Sequence, residues 1–140
     1  MKFTKSGNYF VIRLIKGEEI VEELVNFCSQ NAVKSGYFSA IGAVDSAKIG
    51  FYDLNKKEFN FKNFNKPYEI ASLIGNISQV DGKPFLHIHT VLSDENFTCI
   101  GGHLEEAVVG ATCEVYLVDL GMNIERKYDN GIGLKLLDFQ

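Results

Sequence analysis

Histidine is the residue in this chain best suited to bind a metal, and all three histidines lie in one short stretch: His87, His89 and His103. Side chains alternate across a strand, so the run FLHIHT predicts that His87 and His89 point to the same face. A hairpin turn centred on Asn96 would place His103 opposite His89 and gather the three imidazoles. A shift of one residue would instead pair His103 with Ile88 and put it on the other face. The sequence therefore predicts a three-histidine site that depends on one strand register.

Three imidazoles around zinc would leave a fourth position for water, a carboxylate or a ligand. Glu105 and Glu106 follow His103 closely, and either is a candidate fourth ligand or hydrogen-bond partner of the ligands. An open zinc would activate water with one of these carboxylates as base, whereas a closed one would stabilise the fold. Gly101 and Gly102 leave room for a neighbouring backbone or for a ligand. The competing interpretation is that the histidines only satisfy hydrogen bonds within a half-buried sheet.

Other catalytic signatures are missing from the sequence, which contains no HExxH, CxxC, GxGxxG, GxSxG or Walker loop. No particular hydrolase or nucleotide-binding family is therefore indicated. The cysteines Cys28, Cys99 and Cys113 are widely spaced and odd in number, so no disulfide framework is predicted. We interpret all three as small core residues with free thiols in a reducing cytoplasm.

The composition is that of a soluble globular protein, with 46% apolar and 23% charged residues in 140 positions, and predicts one domain over 1–140. A net charge of −4 argues against a broad nucleic-acid footprint. The N-terminal stretch lacks an apolar signal core and no apolar run could span a bilayer, so we expect a cytoplasmic protein without membrane contact. A cluster of lysines forms either a local positive patch or, as we favour, a solvated hairpin rim: Lys56, Lys57, Lys62 and Lys66.

Hydrophobic periodicity predicts one principal helix over 18–31 and a series of strands. Asp81 and Gly82 form a strong hairpin signal that leads into the histidine strand. Residues 105–110 are expected to form a loop or a single helical turn, and 121–133 are turn-rich. This order predicts an α+β fold with a mainly antiparallel sheet. The other predicted strands cover 8–15, 37–44, 48–53, 58–64, 68–80, 98–104, 112–120 and 134–139.

The run GNISQVDGKPFLHIHTVLSDENFTCIGGHL, followed by VVGATCEVYL, closely resembles the plants-and-prokaryotes-conserved (PPC) domain, also called the AT-hook-associated domain. The segments RLIKGEEIVEEL and SAIGAVDSAKIGFYD extend the resemblance over about 13–120. It implies an α+β fold, a homotrimer and, as in some stand-alone members, a metal at His87, His89 and His103. Stand-alone members are commonly described as DNA-binding because the plant domain follows an AT-hook.

The chain departs from the plant pattern in two places. It has no Arg-Gly-Arg-Pro AT-hook core. The plant segment Gly-Arg-Phe-Glu-Ile-Leu, linked to partner contacts, corresponds to KPYEIA here, which loses the arginine. Lys66, Tyr68 and Glu69 are therefore a candidate partner segment, with a core role for Tyr68 and Ile70 as the favoured alternative.

Together these features predict a stand-alone PPC protein that is a DNA-binding or regulatory homotrimer with a divalent-metal site, zinc being the expected ion. The alternative is a zinc-dependent enzyme or small-ligand-binding protein that uses the open metal position. We favour a non-enzymatic role, because hydrolytic motifs are missing from the sequence.

Overall fold

The chain folds into one large sheet and one helix in the computed structural model, which describes residues 1–139; Gln140, the last residue of the predicted domain, lies outside them. The strand pairs are antiparallel except for a short parallel contact between Gln79 and Glu125. The predicted α+β class with a mainly antiparallel sheet is confirmed. The elements in chain order are β1 Lys2–Ser6, β2 Tyr9–Ile15, α1 Ile20–Gln30, β3 Gly36–Asp53, β4 Glu58–Phe64, β5 Tyr68–Val80, β6 Lys83–Ser93, β7 Cys99–Asp119, β8 Glu125–Asp129 and β9 Leu134–Asp138.

Four strands of the sheet close into a circuit. The long strands β3 and β7 pair with each other along both halves, β5 pairs with β3, and β6 pairs with both β5 and β7. Register shifts near Gly42 and Ser46 bend β3 so that its second half can also pair with β4. The core lies inside this circuit and beneath α1, where Phe38, Leu73 and Val115 are buried.

Helix α1 begins where Glu19 caps it. The Glu19 carboxylate accepts hydrogen bonds from the backbone N–H groups of Val21 (3.2 Å) and Glu22 (2.6 Å), and also from Ala107 of β7 (2.8 Å). One carboxylate thus starts the helix and ties it to the sheet. The apolar spacing predicted for 18–31 matches the buried face of α1. No helix within residues 1–139 is long and apolar enough to cross a membrane.

Side chains of the circuit strands alternate between the core and a second face, which we call the outer face. On β6, Leu86, Ile88 and Leu92 are buried, so that His87 and His89 lie on the outer face. This face also carries large apolar side chains that remain exposed in the single chain: Tyr9, Val11, Tyr37, Ile41, Ile74 and Tyr116.

Several predicted elements differ from the structure. The loop or helical turn predicted for 105–110 is wrong, because these residues are the interior of β7. Lys48 pairs with Glu106 and Ile49 with Leu104, so Glu105 has no opposite residue and the strand continues through a bulge. The strands predicted at 37–44 and 48–53 are one strand, β3. Strands β1 and β8 were not predicted.

The cysteine prediction is only partly correct. Cys28 and Cys113 are buried, but Cys99 is exposed. Cys99 is the first residue of β7 and pairs with Ser93 at the end of β6, beyond the densely packed core. The interpretation of Cys99 as a core residue is therefore wrong.

Candidate functional site

The register of β6 and β7 brings the three histidines together. His89 and His103 are directly opposite each other in this hairpin. The turn before β7 is fixed by the Asp94 carboxylate, whose Oδ1 accepts hydrogen bonds from the backbone N–H groups of Asn96 and Thr98, both at 3.0 Å. The predicted pairing of His103 with His89, rather than with Ile88, is confirmed.

The coordinating nitrogens of the three histidines lie within 4.8 Å of one another. The Nε2 atoms of His87 and His89 are only 3.2 Å apart. The Nδ1 atom of His103 is buried and has no hydrogen-bond partner among residues 1–139. Buried polar atoms in native proteins are normally satisfied, so this nitrogen is an acceptor or donor that lacks its partner.

These nitrogens fit a divalent metal. Tetrahedral zinc with bonds of ~2.0–2.1 Å holds its ligand nitrogens about 3.3 Å apart, close to the separation of His87 and His89. A metal would also give the buried nitrogen of His103 a partner. Within the described residues no carboxylate or thiolate joins the group, so three ligands come from this chain and at least one position stays open. Imidazole ligands suit several divalent metals, zinc among them.

Burial favours the neutral form of two of the imidazoles, His87 and His103. It lowers the pKa of His103 to about 4, and the neighbouring rings of His87 and His89 add to the effect. The pKa of His87 is also lowered, first by burial and then by the positive charge on His89 and Arg126. Neutral imidazole is the form that binds a metal, so His87 and His103 are ready to act as ligands at neutral pH.

One side of the cluster is covered by aromatic rings from β4. The Phe59 ring lies 4.7 Å from that of His103 and tilts by 32°, and Phe61 stacks on Phe59 at 5.2 Å. Gly50 pairs with both His103 and Phe61, and a Cβ there would come within 2.7 Å of the Phe61 ring. Gly50 thus lets the rings lie across β3. The sequence analysis predicted the strand 58–64 that carries Phe59 and Phe61, but it did not predict this contact.

The other side of the cluster is an open groove of about 560 Å³. Its walls are mostly apolar, with Tyr37 and Ile74 beside His87 and His89. Asn76 contributes a side-chain amide to the lining. A groove of this size, apolar with a few polar groups, is typical of a site for a small molecule.

The acidic residues predicted near the site lie outside the histidine group, and the two glycines have a packing role. Glu105 and Glu106 are exposed and outside the histidine group, and Glu106 forms an ion pair with Lys48 at 3.3 Å. A Cβ on Gly101 would lie 2.7 Å from the Thr90 carbonyl oxygen, and one on Gly102 2.7 Å from that of Gly50. The two glycines therefore make room for neighbouring backbone.

The candidate partner segment belongs to a second groove, of about 590 Å³, lined by Lys66, Tyr68, Glu69 and Phe97 among others. Lys66 forms ion pairs with Asp94 (3.2 Å) and Glu95 (3.3 Å). Tyr68 is 7% exposed and packs in the core, which is the role that the sequence analysis favoured over partner contact.

Comparison with known proteins agrees with this architecture. A metal-containing protein from Archaeoglobus fulgidus is 42% identical, with a TM-score of 0.89 over 99% of this chain and 100% of that chain. A PPC protein from Pyrococcus horikoshii is 35% identical, with a TM-score of 0.89 over 99% of this chain and 96% of the other. A protein from Bacteroides thetaiotaomicron, described as a candidate DNA-binding protein, is 30% identical, with a TM-score of 0.96 over 99% and 96%.

The chain is also 27% identical over 133 residues to the bifunctional protein GlmU of a Synechococcus species. That match covers 93% of this chain but 20% of the other protein, so the chain spans about a fifth of the length of this curated relative. The family model of the Plants and Prokaryotes Conserved (PCC) domain, the PPC domain of the sequence analysis, matches residues 1–121, which include every strand from β1 to β7. The chain therefore belongs to the Plants and Prokaryotes Conserved domain family.

Proposed function

We propose that this protein is a metal-binding module that holds one zinc ion per chain at His87, His89 and His103 and assembles as a homotrimer. The observation that carries the metal site is the 3.2 Å separation of two ring nitrogens beside a buried, unpartnered nitrogen of His103. The relative from Archaeoglobus fulgidus, described as a metal-containing protein, supports the same conclusion.

The chain's own residues would perform three tasks at this site. The neutral imidazoles supply the ligands, Phe59 excludes water from one side, and the groove beside Ile74 leaves the other side accessible. When bound, the ion would supply a Lewis-acidic position to which water or an anion can attach. The apolar surroundings would strengthen electrostatic interactions at that position.

Metal analysis of the purified protein is the direct test. We expect close to one zinc per chain, either as purified or after zinc addition and desalting. The His89→Ala variant should lose the ion and keep the fold, because His89 is exposed and its replacement leaves the core intact. A wild-type protein that retains no divalent metal after loading would refute the site.

Self-association is supported by the outer face of the sheet. Ile41 is 61% and Tyr116 63% exposed, and Val11 lies directly opposite Tyr116 in the register of β2 and β7. Contiguous apolar surface of this kind is uncommon on monomers and marks interfaces. We infer three subunits, rather than another number, from the resemblance to the PPC domain, which implies a homotrimer.

Sedimentation or light scattering tests the assembly. A homotrimer would have three times the 15.7 kDa mass of one chain. Tyr116→Glu should shift the protein to a smaller species, whereas Tyr128→Glu, an equally exposed tyrosine on β8, should leave the mass unchanged. A wild-type protein that runs as a monomer would contradict the proposal.

A second candidate function is association with DNA. Its support is the relative from Bacteroides thetaiotaomicron that is described as a candidate DNA-binding protein. The net charge of −4 opposes it, because DNA affinity depends mainly on cationic contacts with phosphates. Gel-shift experiments over a salt series decide the matter: binding that weakens steeply with salt would support the function, and no binding at low salt would exclude it.

A further inference from the structure

A half-buried arginine of the C-terminal hairpin lies on the same face of the sheet as the histidines. Arg126 of β8 packs over the Phe85 ring, with its guanidinium carbon 4.9 Å from the ring centroid. Phe85, His87 and His89 alternate with buried residues along β6 and therefore share the outer face. Arg126 lies beyond residues 1–121, the part that matches the family model, so it is a feature of this chain outside the matched region.

Arg126 is a cation whose hydrogen-bond partners are all uncharged. Nε donates to Ser78 Oγ (2.7 Å), Nη1 to the Lys135 carbonyl oxygen (2.8 Å) and Nη2 to Asn76 Oδ1 (2.8 Å). Within residues 1–139, no carboxylate forms an ion pair with it. Burial lowers its pKa, and no acidic neighbour offsets that effect. A partly buried charge without a counter-charge is costly, which indicates that an anion is missing.

The strand register shows how close Arg126 is to the histidine cluster. Asn76, which accepts the hydrogen bond from Nη2, pairs directly with His87 across β5 and β6. Only the Asn76 side chain thus separates Arg126 from His87, and the positive charge of the guanidinium favours an anion beside the histidine cluster.

The groove adjoins both charges: His87 lines it, and so does Asn76, the hydrogen-bond partner of Arg126, although Arg126 itself is not a lining residue. Asn76 and His87 line it side by side, Tyr37 is the cross-strand neighbour of Asn76 and Ile74 that of His89, and most of the wall is apolar. A guanidinium carries five N–H groups, and its three bonds leave one on each terminal nitrogen without a partner among the described residues. These are the groups with which arginine binds carboxylates.

We propose that the groove binds a small carboxylate with an apolar body, whose negative charge is attracted by both the metal at the histidines and the guanidinium of Arg126. This inference rests on the proposed metal site and names the class of ligand that the site takes. The three histidines are neutral ligands, so a divalent metal and Arg126 together leave an excess of positive charge that a carboxylate would offset. The apolar groove would favour benzoate over acetate.

The competing interpretation is that Arg126 only fastens the hairpin of β8 and β9 to the sheet. The two interpretations differ in what happens when the charge is removed. A structural role predicts lower thermal stability and unchanged anion binding by the folded protein. A ligand-binding role predicts weaker carboxylate binding that does not scale with stability.

Cobalt-substituted protein provides the measurement, because the visible spectrum of Co²⁺ reports changes in its coordination. Titration of the Co²⁺-loaded wild type with benzoate should change the spectrum at lower concentrations than acetate does. Benzamide, which has the same ring but no charge, should produce no change. In Arg126→Gln the apparent dissociation constant for benzoate should rise at least about tenfold, as expected for loss of a charge-assisted hydrogen bond.

The matched control is Lys127→Gln. It removes a positive charge from the same hairpin, but one that is exposed and paired with Asp138 at 2.5 Å, so benzoate affinity should not change. Arg126→Lys keeps the charge and provides a second test if the glutamine variant unfolds; it should retain part of the affinity. Equal benzoate binding by wild type and a folded Arg126 variant, or an equal response to benzamide, would overturn the inference.

The outcomes also separate this inference from the proposed function. If the wild type binds no Co²⁺ or Zn²⁺, the metal site itself is refuted. If metal binds but benzoate leaves the spectrum unchanged, the metal site stands and the carboxylate inference fails.

Discussion

The rings of His103 and Phe59 are in contact, with centroids 4.7 Å apart and a tilt of 32°, although they belong to strands separated by β3. The contact crosses Gly50, which has no side chain to block it. It shields one face of the imidazole from water and contributes to the burial that keeps this ligand neutral. The aromatic cover is therefore part of the metal site, and it can be altered without touching a ligand.

Phe59→Ala should weaken zinc binding while leaving all three histidines in place. Loss of the apolar cover admits water to His103, so its pKa should rise towards the ordinary value of about 6.5. We expect a decrease in zinc affinity of roughly tenfold, the lower end of the range for residues that support metal ligands. Competition with a chelating dye measures the affinity, and NMR titration of the metal-free protein measures the pKa. Phe51→Ala is the control, because Phe51 lies on the neighbouring strand and is 74% exposed; an equal loss in both variants would contradict this role.

Gly50→Ala should act through the same rings. Its backbone is not in the left-handed region, so alanine is tolerated, but the new Cβ would lie 2.7 Å from Phe61 and 3.0 Å from Phe59. The rings must move away from His103, and zinc affinity should fall. Because both changes act through one contact, the Gly50→Ala and Phe59→Ala effects should not add in the double variant. Additive losses would show that Gly50 matters for another reason.

The metal-free protein should lose stability as the pH falls below about 6.5. The pKa of His103 is about 4 in the folded chain and about 6.5 when unfolded, so the unfolded state binds more protons between these values. Stability therefore rises with pH through this window, by at most about 1.4 kcal/mol per unit, and less because His103 is partly exposed. Melting temperatures at pH 7 and pH 5 in EDTA measure the effect. His103→Asn should flatten this dependence; an unchanged slope in that variant would assign it to other groups.

The three cysteines should differ sharply in reactivity. Burial raises the pKa of Cys28 and of Cys113 to about 12, so neither forms a reactive thiolate at neutral pH, whereas Cys99 is exposed. Ellman's reagent should modify one thiol per native chain and three after unfolding. Cys99→Ser should abolish the native reaction. Rapid modification of a second thiol in the folded protein would contradict the burial of Cys28 and Cys113.

The histidine cluster could be predicted from sequence because it depends on local rules. Alternation along a strand places His87 with His89, and the Asp94 turn sets the partner of His103, so a few residues determine the geometry. The contributions of Gly50 and Arg126 depend on pairing between distant parts of the chain. Nothing near Arg126 in the sequence indicates that it reaches Asn76, fifty positions earlier.

The middle of β7 could not be predicted for a different reason. The run EEAVVG reads as a loop in sequence, yet its four central residues, 106–109, pair with β3. The bulge at Glu105 breaks the alternation by which a strand is recognised, so local pattern and tertiary pairing disagree there. The same disagreement splits β3 into two predicted strands around its register shifts near Gly42 and Ser46.

The closed circuit of β3, β5, β6 and β7 also affects how the site would exchange its ion. From His89 to Ser93, β6 is hydrogen-bonded to a neighbour on each side, so the backbone that carries the ligand cannot fray. Amide protons there should be among the slowest to exchange with solvent, with or without metal. A pre-organised site of this kind does not have to fold around its ion, so adding metal to the metal-free protein should leave this part of the backbone in place.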